Sequence, residues 1–106
     1  MTVEINIARD FSSTPVGRFR EDGTHTGQHF REDFLIPPLE KGEDLIIILD
    51  GTAGYPSSFI DAAFGGLLRL GRWSSKELLR RVQIRADTPQ YVPYRDRIIG
   101  VLSANR

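Results

Sequence analysis

The unbroken aliphatic run Leu45-Ile46-Ile47-Ile48-Leu49 constrains this chain most. It is bracketed by Glu43-Asp44 on one side and Asp50-Gly51 on the other. Five apolar residues are too few to cross a bilayer and too short for a typical buried helix. A short β-rich run closed by a turn pair reads as a central strand covered on both faces, or nearly so. The rest of the chain must therefore supply cover for a sheet.

The other segments provide it. Val3, Ile5 and Ile7 alternate with Glu4, Asn6 and Ala8, the period of a half-buried strand. Val16 to Arg20 predicts a short second strand, introduced by Pro15 and closed by the turn pair Asp22-Gly23. Phe30 and Phe34, at i and i+4, predict a helix from Thr26 to about Leu35, ended by Pro37-Pro38. Ser57 to about Leu70 predicts a helix that is apolar almost all round and hence buried on most of its surface. Gly65 and Gly66 inside it suggest close approach by another backbone. Ser74 with Glu77 fits a capping box for a short helix through Leu79. Val82 and Ile84 predict a strand, and Pro93 to Ala104 a last helix with Tyr94, Ile98 and Val101 on one face. The expected fold is a small α/β single domain over residues 1–106, with a mixed sheet and helices in the order β-β-α-β-α-β-α.

Composition narrows the function. A chain of 106 residues has room for one core and not for a cofactor domain plus a substrate domain. No cysteine is present, which excludes disulfides, thiol catalysis and thiolate metal sites. Fourteen basic residues balance fourteen acidic ones, so nothing draws the whole chain to nucleic acid or to an anionic membrane. The absence of an N-terminal leader pattern and of a spanning segment makes a cytoplasmic location the expectation. Only Lys41 and Lys76 of the basic residues are lysines; the remainder are arginines, suited to ion pairs and interfaces or simply the product of a GC-rich genome.

The informative stretch for chemistry is Asp50-Gly-Thr-Ala-Gly-Tyr-Pro-Ser-Ser-Phe-Ile-Asp61. It runs from the central strand through a glycine-bearing loop into a helix start, the place where α/β sheets gather sites. Ser57 and Ser58 stand at that start, either as plain N-caps or as carriers of a phosphate at the favourable end of the helix dipole. The loop lacks the P-loop and dinucleotide spacings, so nucleotide binding has little support and no cofactor is expected. His25 and His29, at i and i+4, lack a third ligand, and no metal site is expected. A Ser57 or Ser58, His25 or His29, Asp50 hydrolase arrangement can be assembled on paper, and a small hydrolase or anion-binding domain stands as one alternative. A nucleic-acid-associated domain using Arg69, Arg72, Arg80, Arg81 and Arg85 is another. Arg18 and Arg20 flank Phe19 and could meet carboxylate or phosphate on a partner, or form a solvated face with Phe19 turned into the core.

Several short motifs carry a resemblance. They are Thr14-Pro15-x-Gly17-Arg18, Asp22-Gly23, Gly27 with Phe30-Arg31, Asp50-Gly51-x-x-Gly54-Tyr55-x-Ser57-Ser58-Phe59, and Ala63-Phe64-Gly65-Gly66-Leu67. Together they resemble the STAS-like family DUF4325, related in fold to the anti-sigma-factor antagonists of bacteria. The resemblance implies a regulatory protein-binding module rather than an enzyme. It implies a histidine-kinase-like ATPase or anti-sigma-type partner. Ser58, with Ser57 second, falls at the phosphoacceptor position of the antagonist turn, although Pro56 and Phe59 replace that turn's Asp and Gly. The docking surface expected from the same comparison comprises Gly54, Tyr55, Pro56, Phe59, Asp61, Arg18 and Arg20.

Overall fold

The computed structural model describes residues 1–104. Three strands form the sheet: β1 (Thr2–Asn6), β2 (Asp44–Ile48) and β3 (Val82–Arg85). Both pairings are parallel and the strand order is sequential, β1-β2-β3, with the apolar run at the centre as its composition requires. Val3, Leu45 and Val82 are in register, as are Ile5, Ile47 and Ile84. These residues share one face of the sheet and merge into the core.

The helices cover that face. Helix α1 spans residues 27–40, α2 spans 57–69, α3 is Ser75–Arg81 and α4 is Val92–Leu102. Phe30, Leu35 and Leu39 from α1, Phe59, Ile60, Ala63, Phe64 and Leu67 from α2, Leu78 from α3, and Ile98 and Leu102 from α4 belong to one buried cluster with the sheet. The opposite face bears Glu4, Asn6, Ile46, Ile48, Gln83 and Arg85, which lie outside that cluster. The central strand is nevertheless nearly covered on both faces, since Ile48 on this second face is buried and Ile46 half-buried. Each β-to-β connection returns on the same side, which keeps the strands parallel and in chain order.

The expected mixed sheet and second strand are also corrected. Residues 16–20 pair with the chain leading into α1 instead of with the sheet. Val16 N–H donates to His25 O, while Gly17 O and Arg18 O accept from Gly27 N–H and Gln28 N–H. Those two amides belong to the first turn of α1, which has no partners of its own for them. Gly17 is in the left-handed region (φ +94°), which breaks an extended ladder. Val16 and Phe19 are 59% and 52% exposed, so neither side chain gives the segment a reason to join the sheet, and Phe19 is not turned into the core. A single 3₁₀ turn, Arg20–Asp22, follows, closed by Asp22 Oδ2 accepting from Phe19 N–H at 3.1 Å.

Pro37-Pro38 do not end α1. The helix widens into a π turn at Arg31–Leu35, where Ile36 N–H donates to Arg31 O, five residues back. The prolines then occupy the first turn of a fresh α segment, Ile36–Glu40, where their missing N–H groups cost little. Helix α2 contains a similar π turn at Asp61–Gly65. A third, Ile7–Phe11, follows β1 directly and carries Phe11 against the rings of His25, His29, Phe30 and Phe34 at centroid distances of 5.1–5.3 Å.

Gly65 and Gly66 make way for side chains, not for a backbone. A Cβ on Gly66 would collide with the Arg31 guanidinium, which donates to Ala62 O at 2.5 Å. A Cβ on Gly65 would meet Asp61 and Arg69. The close backbone approach is at Gly27, where α1 meets α2. Trp73 is buried at 7% exposure, with the Arg72 guanidinium 5.0 Å above its ring.

Candidate functional site

The loop after β2 is fixed from behind by its own chain. Asp50 accepts hydrogen bonds from Asp87 N–H (2.9 Å), Thr88 N–H (2.7 Å) and the Thr88 hydroxyl. Partial burial works against ionisation of Asp50. Those hydrogen bonds outweigh it and hold the carboxyl below its usual range. Tyr55 is buried and its hydroxyl donates to Leu49 O at 2.6 Å; burial pushes this phenol's pKa far upward. Tyr91 donates to Thr52 O at 2.5 Å, and Ala53 N–H donates to Ser13 O at 2.8 Å. Gly54 takes a positive φ of +131°, and a Cβ there would lie 2.9 Å from the Tyr94 hydroxyl.

Pro56 occupies the N-cap position of α2, and its carbonyl accepts from Phe59 N–H and Ile60 N–H. The plain N-cap reading of the serines is thereby corrected, because a proline holds that position. Ser57 and Ser58 are the first two helical residues, Ser57 exposed and Ser58 half-buried. Beside them opens a cleft of about 420 Å³ lined by Thr14, Pro15, Val16, Ala53, Gly54, Tyr55, Pro56 and Tyr94. None of those residues is charged.

The residues expected to form the docking surface separate into three groups. Gly54 and Pro56 line the cleft. Tyr55 is 3% exposed and Phe59 fully buried, so Phe59 cannot offer a side chain to a partner, and Tyr55 offers only the part that borders the cleft. Phe59 belongs to the aromatic interior, 6.0 Å from Phe30 and 6.1 Å from Tyr55 between centroids. Arg18, Arg20 and Asp61 are exposed or partly so but paired. Arg18 Nη1 lies 2.6 Å from Asp61 Oδ2, and Arg69 Nη1 lies 3.1 Å from Asp61 Oδ1. The hydrogen bond from Arg69, reinforced by Arg18, holds the Asp61 carboxyl below its usual range against partial burial. Arg20 bridges Glu32 (2.9 Å) and Asp33 (2.8 Å), tying the loop after residue 16 to α1.

The structure does not assemble the hydrolase arrangement. Asp50 is committed to Thr88 and the Asp87 amide. His29 directs Nδ1 to Thr24 O (2.6 Å) and Nε2 to Asp33 Oδ2 (3.1 Å), and His25 Nδ1 faces the Thr24 hydroxyl. Neither histidine lines the cleft. Among the described residues no three His, Cys, Asp or Glu side chains are grouped as metal ligands. Of the arginines from 69 to 85, Arg69, Arg72, Arg81 and Arg85 are paired with Asp61, Glu40, Asp44 and Asp87 respectively. Arg81 is buried and also donates to Leu39 O and Glu43 O, a structural role that its sequence context did not disclose.

The family model of the STAS-like domain of unknown function (DUF4325) matches residues 26–91, the span from the cap of α1 to the end of the turn after β3. The chain belongs to this family. The STAS-like match covers the strand-to-helix loop and both serines. No curated protein and no solved structure matches. No described helix of this STAS-like chain is long and apolar enough to cross a membrane.

Proposed function

We propose that this STAS-like domain is a regulatory protein-binding module that docks a histidine-kinase-like ATPase or an anti-sigma-type protein, with Ser58 as phosphoacceptor and Ser57 as second choice. One observation carries the reading. The loop from Asp50 to Pro56 is anchored on its inner side by Asp50, Tyr55 and Tyr91, while its outer side borders an uncharged cleft next to two serines that do not serve as the helix cap. Anchoring presents the surface in one shape, which limits the ordering cost of docking. Val16, more than half exposed, lines the cleft, and Phe19, also more than half exposed, follows it on the same segment.

In the switching step the γ-phosphoryl of ATP passes to Ser58 Oγ, the hydroxyl proton leaves and ADP is released. The product adds a charge of about −1.5 to −2 to a surface that docks neutral, and a partner presenting a carboxylate there is repelled. A pull-down with the wild-type chain, read by mass spectrometry, is expected to return a histidine-kinase-like ATPase or an anti-sigma-type protein. Val16→Asp and Phe19→Asp baits should recover less of it. Recovery of neither class, or equal recovery by all three baits, would refute the docking surface.

A further inference from the structure

Arg18 is placed to do more than hold its loop. Its carbonyl accepts from Gln28 N–H, so its backbone lies beside the first turn of α1. Its side chain leaves α1 and ends on Asp61 of α2, 2.6 Å away. Ala62 marks where α2 touches α1, since a Cβ on Gly27 would lie 2.7 Å from the Ala62 Cβ. Ser58 is three residues before Asp61 and four before Ala62. Residues so spaced on a helix are neighbours, with Cβ atoms about 5–6 Å apart. Ser58 therefore lies on the side of α2 that carries both Asp61, where Arg18 ends, and Ala62, where α1 makes contact.

We propose that Arg18 is the internal reader of a phosphate on Ser58: it exchanges the Asp61 carboxylate for the phosphate, and Asp61 retains Arg69. This rests on the phosphoacceptor role proposed above for Ser58. The exchange is balanced. A phosphate dianion offers a guanidinium two parallel charge-assisted hydrogen bonds. Asp61 is not orphaned, because Arg69 approaches both of its carboxylate oxygens, at 3.1 and 3.3 Å. The 16–19 segment follows Arg18, since Arg18 lies between the exposed Val16 and Phe19. Beyond it, Arg20 is fastened to Glu32 and Asp33, so movement is confined to the rim of the cleft. Phosphorylation thus reshapes the rim as well as charging it.

The test uses the full chain with phosphoserine installed at position 58 during synthesis, so no kinase is involved. The ³¹P resonance is followed against pH to give the midpoint of the second phosphate ionisation, ordinarily about 6. The expected midpoint is lower by about 0.5 pH unit or more with Arg18 than in Arg18→Ala, because a neighbouring cation favours the dianion. Amide resonances of residues 16–19 should move on phosphorylation of the wild type and stay in place in Arg18→Ala. A folded Arg18→Ala chain with an unchanged midpoint overturns the proposal. Should that variant not fold, Arg18→Gln decides: with the cation gone and the side-chain stem kept, the midpoint should rise above wild type by about 0.5 pH unit or more, and an unchanged midpoint overturns the proposal. Failure of any kinase to modify Ser58 would defeat the proposed function without altering this titration. An unmoved midpoint would remove Arg18 as reader and leave docking intact.

Discussion

Gly27 and Phe59 meet so closely that a Cβ on Gly27 would lie 2.7 Å from the Phe59 carbonyl oxygen and 2.9 Å from Ala63 N. The two helices that frame the serine-bearing junction are thus in backbone contact, and only glycine permits it. Gly27→Ala is expected to cost about 2–3 kcal/mol, because the obstacle is backbone and cannot swing aside. Gly100, on the exposed side of α4 with nothing within 4 Å of its missing Cβ, should respond oppositely: Gly100→Ala should stabilise by roughly 0.5–1 kcal/mol. Urea titrations of the two variants give the comparison.

The two helix-start serines provide an internal contrast. Ser74 Oγ accepts from Glu77 N–H at 3.1 Å as a true N-cap, so Ser74→Ala should cost about 1 kcal/mol. Ser58 follows a proline cap, so Ser58→Ala should change stability by less than about 0.5 kcal/mol. Thermal melts of both variants test this. A loss at Ser58 as large as that at Ser74 would mean that its hydroxyl serves the helix.

Asp50 supplies a pH-dependent link between the loop after β2 and the chain after β3. Asp50→Asn should destabilise by about 1–2 kcal/mol at pH 7, since an amide offers one weaker acceptor where the carboxylate offers two. The folded-state pKa of Asp50 lies below its unfolded value. Its contribution is therefore fully present above the unfolded pKa of about 3.9 and is lost as pH falls through the lower folded value. Denaturation curves of wild type and Asp50→Asn should converge in strong acid. A gap of constant size from pH 7 down to pH 2 would contradict the assignment.

Phe59 and Phe19 should separate stability from docking. Phe59 is fully buried, and Phe59→Ala should cost about 3–5 kcal/mol. Phe19 is 52% exposed, and Phe19→Ala should leave the melting temperature within about 2 °C while weakening partner recovery. Calorimetry paired with the pull-down reads both effects.

The elements that were legible in the sequence are those whose side chains report their own surroundings. Leu45 to Leu49 read as the central strand, although only one of its faces carries the helices, and Phe59 to Leu67 read as a buried helix. Ser74 with Glu77 marked a helix start because a cap is a local contact. What escaped depends on distant partners. Residues 16–20 have strand-like composition, yet their carbonyls satisfy the first amides of α1. Pro37-Pro38 read as a stop because the π turn that accommodates them leaves no signature in residue type. Gly65 and Gly66 signalled crowding without revealing that guanidinium groups cause it. At the site, the position of Ser57 and Ser58 followed from the motif, whereas the burial of Phe59 beside Phe30 and the pairing of Arg18 with Asp61 across 43 residues required the folded chain.

The most direct measurement is intact mass after incubation of the chain with ATP and a histidine-kinase-like ATPase, the partner proposed for it. Wild type should gain one phosphoryl group, Ser58→Ala should gain none, and the phosphorylated chain should release the partner. An unchanged mass with a partner that demonstrably binds, or equal modification of Ser58→Ala, would contradict a switch at Ser58.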